Sequence, residues 1–278
     1  MSIVRKTASF VYTLDKEPIR NGYVEYDDVD GKIISVGECA PGEDVHPGAI
    51  VPGFVNAHCH IELSHLYKKF RKGTGMAGFI DQINALRDWA GRDVKEQLTL
   101  RWMDKMWNDG VSAMADISND DSSFEVKKAH RLYTRTFLEV FGSEPEMCEG
   151  VMKEVAELQT VADSAGIDAA PTPHSCYTMS PQLLSASAAK GLESGFLSYH
   201  SQESQEEEDL LVSGTGAMYE NRKRSGMSTP PVTGESSLKY FLDRLAAVKA
   251  APYDEHILLV HNVCLQQSDV DSIKKAMK

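Results

Sequence analysis

Apolar positions along the chain fall into two textures. The stretches 3–12, 22–26 and 32–37 are rich in Val, Ile and Tyr, and Asp30-Gly31 is a hairpin signal between the last two. They predict a small β unit over residues 1–50, and Pro41, Gly42, Pro47 and Gly48 mark the connection that leaves it. From Ala49 onward, short apolar runs alternate with longer segments of helical period. The runs are AIVPGFVNAH, VSAMADIS, RLYTRTFLEVFG, IDAAPTPH, FLSYHS and HILLVHN. Between them, Phe79, Ile83, Leu86 and Ala90 recur at helical spacing, as do Val94, Leu98, Trp102 and Met106. Ser180 as N-cap, Pro181 in the first turn and Gly191 at C′ predict a further helix. Strand–helix alternation of this kind predicts an α/β fold over 51–278, with a parallel sheet and helices outside it.

Five of the six strand-like runs end in a polar, reactive side chain: His60, Asp116, His174, His200 and His261. The carboxyl ends of the strands form the active-site face of a (β/α)8 barrel, so this recurrence points to a TIM-type barrel with about six strands present. A doubly wound sheet also binds ligands at strand ends, but has no need of histidine on so many of them.

Composition narrows the function. A net charge of −12 argues against a nucleic-acid binder or a protein held at an anionic membrane surface. With 42% hydrophobic residues the chain can bury a large core, yet it contains no apolar run long enough for a membrane helix. No signal-peptide pattern opens it, and Cys39, Cys59, Cys148, Cys176 and Cys264 form no CxxC pair. A reduced, cytoplasmic protein is expected.

The chemistry concentrates at strand ends. Side chains on a strand alternate, so His58 and His60 project to one side and can converge on one ion while Cys59 points away. Imidazole suits zinc, expected here, or iron as the alternative. His200 closes another run, FLSY, and can supply a third imidazole, with Glu203 just beyond it placed for proton transfer. Glu206 and Glu208 read as a solvated acidic helix start, favourable at the positive end of the helix dipole. His174 and His261 end two more runs. Each alone is more often structural, but so many histidines on one rim exceed what structure requires. His46, His130 and His256 read as structural or surface residues, and His65 stays open between the two. Residues 73–89 follow the first barrel strand and are placed to cover a pocket, with Phe79 and Trp89 read as packing residues ahead of ring-stacking ones.

At these positions the chain resembles the metal-dependent amidohydrolase superfamily. VPGFVNAHCHIELSHL, GVSAMADIS, PTPHSCYTMSPQLL, HSQESQEEEDL and LLVHNVCLQQSDVDSI are similar, in order, to that family's landmarks. The branch it looks most like holds the cyclic-amidine deaminases and triazine chlorohydrolases, with adenosine-derivative, aminofutalosine, guanine and cytosine deaminase relatives. The resemblance implies a barrel packed on a small β-sandwich to which residues 1–50 contribute. It implies one divalent ion held by His58, His60 and His200, with Glu203 shuttling protons between a metal-bound water and a ring nitrogen. His261 would polarise that water, and His174 would contact the substrate. The expected activity is hydrolysis of a non-peptide carbon–nitrogen bond, probed best as deamination of a cyclic amidine such as a purine derivative. The expected partner is a small heterocycle, in a chain that can form a homo-oligomer.

The family's fourth protein ligand, an aspartate ending barrel strand eight, has no counterpart in the sequence, which stops at Lys278 in a segment where Ser268-Asp269-Val270-Asp271 reads as a capping box. A C-terminally shortened chain is therefore the expectation. One alternative is a catalytically inactive, vestigial metal-binding fragment. Another is a ring-opening amidohydrolase, whose two metals are bridged by a carboxylated lysine ending strand four; here that strand ends in His174, which favours one metal. Asp116 is not expected to replace the missing ligand.

Overall fold

The computed structural model describes residues 2–277. The chain divides into two compact units, one running to Phe54 and the other from Val55 onward. In the first, β1 (Ile3–Val11), β2 (Ile19–Asp27), β3 (Ile33–Glu38) and β4 (Ala49–Ile50) form a sheet of order β3-β2-β1-β4. Its β1/β2 and β2/β3 pairs are antiparallel and its β1/β4 pair parallel. Gly31 turns the β2–β3 hairpin at φ 74°, a left-handed conformation that favours glycine, and donates its N–H to Asp27 O at 2.9 Å.

The second unit carries strands and helices in alternation. Its first part runs β5 (Phe54–Cys59), α1 (Gly75–Leu86), α2 (Arg92–Asn108), β6 (Val111–Ser118), α3 (Phe124–Ala129), β7 (Tyr133–Val140), α4 (Cys148–Ala165) and β8 (Ala169–Pro173). There follow α5 (Pro181–Glu193), β9 (Phe196–Ser201), α6 (Gln205–Ser213), α7 (Gly216–Arg224), α8 (Ser237–Val248), β10 (His256–His261) and α9 (Gln267–Ala276). Every strand-like run from Ala49 onward yields one of these six barrel strands. They form a sheet of order β5-β6-β7-β8 and a β9/β10 pair, so the barrel is not closed.

The ladder breaks between β8 and β9 for a reason written in the sequence. His174 N–H donates to Val140 O on β7 at 2.9 Å, so the alternate N–H positions that face β9 are 171 and 173. Both are proline and have no proton to give. The Thr172 hydroxyl replaces them: it donates to Ser198 O at 2.5 Å and accepts from Ser198 N–H at 2.9 Å. One strand end further on, His200 N–H donates to His174 O at 2.9 Å, tying together the two histidines that end β8 and β9.

Two local expectations shift. The helix capped by Ser180, whose side chain accepts from Leu183 N–H, runs through Gly191 to Glu193, and the left-handed glycine after it is Gly195 at φ 77°. Gly191 answers a packing need instead, because a Cβ there would lie 2.9 Å from Leu197 Cδ1 on β9. The capping box of α9 exists, but Gln266 and Asp269 make it, not Ser268 and Asp271.

The main core packs α4, α5 and α8 against β7–β9, with Tyr199 and Phe241 stacked at 3.7 Å between ring centres. A smaller core joins Ile61, Met103, Met114 and Leu132 beneath β5 and β6. The buried centre of α2 is Thr99 and Met103, one position along from the stripe its period suggests. No residue of α1 is buried, since its apolar stripe faces a cavity. All five cysteines are free. Among the described residues, no helix is long and apolar enough to cross a membrane.

Candidate functional site

The ends of β5 and β9 bring three distant imidazoles together. Ring centres of His58 and His60 lie 5.0 Å apart, His58 and His200 4.9 Å, and His60 and His200 5.3 Å. One nitrogen from each ring lies within 4.8 Å of the other two, and His60 Nε2 faces His200 Nε2 at 3.2 Å. Burial, then the neighbouring imidazoles, lowers the pKa of His58 to about 4 and of His60 to about 3, and drives that of His200 well below its ordinary value. The rings are therefore neutral near pH 7, and each keeps a lone pair. His58 Nδ1 is buried without a hydrogen-bond partner. Neutral, converging imidazoles with an unsatisfied buried nitrogen fit a divalent cation better than a self-contained hydrogen-bond cluster.

Beside this trio stand Glu203 and His261. Glu203 Oε2 accepts from the Tyr177 hydroxyl at 2.6 Å, and Oε1 lies 3.4 Å from His261 Nε2. The His261 ring is 5.7 Å from His58 and 5.4 Å from His200. The backbone that carries these groups is tightly constrained. His261 itself has φ 77° and Asn262 φ 52°, left-handed values that cost a non-glycine residue energy and turn the His261 side chain back onto the rim. The Glu207 carboxylate accepts from Gln202 N–H at 3.1 Å and Glu203 N–H at 2.8 Å, and burial raises its pKa to about 7.

His174 joins the rim with its ring centre 4.6 Å from that of His200; its Nδ1 lies 2.7 Å from Ser175 Oγ and 2.8 Å from Thr178 Oγ1. Burial lowers its pKa to about 3. Asp116 lies two residues before the end of β6 and serves elsewhere: it pairs with Lys127 Nζ at 2.6 Å and accepts from Ile61 N–H at 2.7 Å, fixing the chain just past His60. His65 is structural, buried with its ring nitrogens against Glu62 O and Arg87 O.

The solvated acidic helix start is overturned. Glu206 accepts from Met76 N–H at 3.2 Å and Ala77 N–H at 2.9 Å, holding the first turn of α1. Glu208 is buried and accepts from Ser237 N–H and Oγ–H at the start of α8. Both carboxylates complement the positive ends of helices far away in sequence. A sequence reading also passes over Glu139 on β7. Its carboxylate is buried, with Oε2 accepting from Asn119 Nδ2 at 2.8 Å. Its Oε1 lies 3.6 Å from His200 Nδ1 and 3.7 Å from His174 Nε2. The signal for it was a carboxylate inside the apolar second half of a strand run, Phe137-Leu138-Glu139-Val140-Phe141.

The rim histidines, Glu139, Tyr177 and Glu203 open onto one cavity of about 730 Å³. His58, His60, His174, His200, Glu203 and His261 line one end, and Tyr67, Phe70, Phe79, Ile80, Ile83 and Trp102 line much of the rest. Phe79 thus faces the cavity, whereas Trp89 packs near His65.

Residues 49–278 match the profile of the amidohydrolase family. Among solved structures, the chain is similar to aminofutalosine deaminase from Helicobacter pylori in complex with methylthio-coformycin: TM-score 0.78, 21% identity, 98% of this chain and 67% of that one. It is similar to an adenosine deaminase from Xanthomonas campestris with bound zinc: TM-score 0.71, 17% identity, 98% of this chain and 61% of that one. It is also similar to guanine deaminase from C. acetobutylicum with bound guanine: TM-score 0.67, 14% identity, 98% of this chain and 65% of that one. These likenesses show the fold. The chain spans 61–67% of the length of these proteins. No curated protein matches it.

Proposed function

The chain belongs to the amidohydrolase family, and from that premise we propose that it serves hydrolytic cleavage of a non-peptide carbon–nitrogen bond, the deamination of a cyclic amidine in a small heterocycle. The observation that carries the reading is the convergence of His58, His60 and His200 beside Glu203 and His261 on one rim of a cavity with apolar walls. His58, His60 and His200 would hold one divalent ion, zinc by the chemistry of three neutral imidazoles. When bound, such an ion supplies Lewis acidity that makes water a competent nucleophile near neutral pH.

The chain's own residues do the rest. Glu203 takes a proton from the attacking water and delivers it to the ring nitrogen as the amidine carbon becomes tetrahedral. Tyr177 holds one oxygen of that carboxylate at 2.6 Å, leaving the other free for the transfer. His261, 3.4 Å from Glu203 Oε1, stabilises the charge that develops on the entering oxygen. Glu203 then takes the remaining proton from the tetrahedral hydroxyl and gives it to the amino group, which leaves as ammonia while the ring carbon becomes a carbonyl. His174 contacts the heterocycle through its ring, which the Ser175 and Thr178 hydroxyls hold at Nδ1. The apolar walls from α1 exclude bulk water and cover the flat face of the ring.

The test is ammonia release by the metal-loaded chain over a panel of aminopurines and aminopterins, beside Glu203→Gln. Release that disappears in that variant, with metal retained, supports the proposal. Bound metal with no release by the chain over the whole panel favours a non-catalytic metal-binding role.

A further inference from the structure

The buried carboxylate of Glu139 stands outside the reaction as written, yet it is placed against two of the imidazoles that the reaction uses. Its Oε2 is satisfied by Asn119 Nδ2 at 2.8 Å. Its Oε1 is buried and accepts no hydrogen bond of normal length. The nitrogens nearest to it are His200 Nδ1 at 3.6 Å and His174 Nε2 at 3.7 Å. A carboxylate oxygen left in this position costs free energy unless the groups facing it carry protons. A neutral imidazole carries one proton, so the identity of the nitrogen facing Glu139 decides which nitrogen keeps the lone pair.

For His200 the choice matters most. Its Nε2 faces His60 Nε2 at 3.2 Å, on the side where the three rings converge. Its Nδ1 lies near His174 O, at 3.3 Å, and near Glu139 Oε1. Two acceptors on the Nδ1 side hold the proton there and leave the Nε2 lone pair aimed into the trio. At His174 the same carboxylate favours a proton on Nε2, so that Nδ1 accepts from the Ser175 and Thr178 hydroxyls at 2.7 and 2.8 Å.

We infer that Glu139 is a positioning residue: its free oxygen, set between His200 Nδ1 and His174 Nε2, fixes the tautomer of both rings and so presents His200 Nε2 to the cation. This rests on the reading of His58, His60 and His200 as cation ligands. It reaches further by naming the group on a separate strand that readies one of them, as carboxylates do for ligating histidines in general. Asn119 Nδ2 meets the other carboxylate oxygen, which leaves Oε1 as the one that faces the two rings. A glutamine in the same place must turn its NH2 toward one of those donors.

The experiment uses Glu139→Gln, with Glu139→Met as a second variant should the amide prevent folding. Zinc affinity is measured by competition with a chromophoric chelator, and imidazole tautomers are read from 15N-histidine spectra of the metal-free chain. The expected result is zinc bound about 10- to 100-fold more weakly than by the parent chain. In the spectra, His200 is expected to pass from the Nδ1–H form to a mixture with Nε2–H. Glu208→Gln, which removes an equally buried carboxylate that contacts no imidazole, is expected to leave both readings unchanged. Unchanged zinc affinity and unchanged tautomers in the Glu139 variants overturn the inference. A parent chain that takes up no zinc overturns the metal reading alone, and the spectra of the metal-free variants then decide for Glu139.

Discussion

The Tyr177 hydroxyl donates to Glu203 Oε2 across 2.6 Å, joining the short turn after β8 to the segment that leaves β9. Tyr177 is buried, and burial followed by the Glu203 charge raises its pKa well above the ordinary phenol value, so it stays a proton donor throughout the working range. Removing it by Tyr177→Phe deletes a hydrogen bond to a charged group, about 1.5–3 kcal/mol. The expected outcome is a turnover number lowered about 10- to 100-fold with zinc affinity unchanged, checked by steady-state kinetics beside a chelator competition. Unaltered turnover would take Tyr177 out of the account.

Glu206 couples the same segment to the wall of the cavity. It caps the first turn of α1, a helix with no buried residue of its own, whose Met76, Phe79, Ile80 and Ile83 line the site. An anion at a helix start is worth about 1 kcal/mol. Glu206→Gln is therefore expected to raise KM about five-fold and to change kcat less. A fall in kcat at constant KM would contradict this placement.

His261 pays for its orientation with a left-handed backbone, φ 77°. Glycine adopts that conformation without the steric cost of about 1–2 kcal/mol. His261→Gly is expected to keep or raise the thermal stability of the metal-free chain while lowering turnover at least 100-fold. Thermal unfolding and an ammonia assay read the two effects separately. A marked loss of stability would show that the ring is needed for packing, and unchanged turnover would remove it from the chemistry.

Glu62 gives a pH signature of the fold itself. It is buried beside Asn119 N–H at 2.8 Å, and burial raises its pKa from 4.5 to about 8. A carboxyl whose folded pKa is raised contributes stability that is complete below its unfolded value and is lost as pH climbs toward the folded one. Between pH 4.5 and about 8 the folded chain holds a proton that the unfolded chain has released. Stability relative to Glu62→Gln should then fall with rising pH, at most about 1.4 kcal/mol per unit. Denaturant unfolding of both metal-free proteins at pH 5, 6.5 and 8 checks the sign, and a difference independent of pH would refute it.

The strands and most of the rim were legible because parallel strands are buried on both faces and read as apolar runs, so a polar residue closing one stands out. That is how His60, His174, His200 and His261 are found. Glu139 is not found this way, since it lies inside its run and the histidines that face it come from other strands. The acidic run after Glu203 misleads for a related reason. Nothing local reveals that Glu206 meets the start of α1 and Glu208 the start of α8. Gly191 looks like a helix stop until Leu197 is seen against it. In each case the deciding partner is distant in sequence, and only tertiary packing supplies it.

If the imidazoles of His58, His60 and His200 share one cation, a zinc K-edge absorption spectrum of the zinc-loaded chain reads that coordination without an activity assay. The account predicts a single tightly held ion with a three-imidazole nitrogen shell at about 2.0–2.1 Å, reduced by one imidazole in His200→Ala. A shell without imidazole scattering, or one that His200→Ala leaves intact, would contradict it.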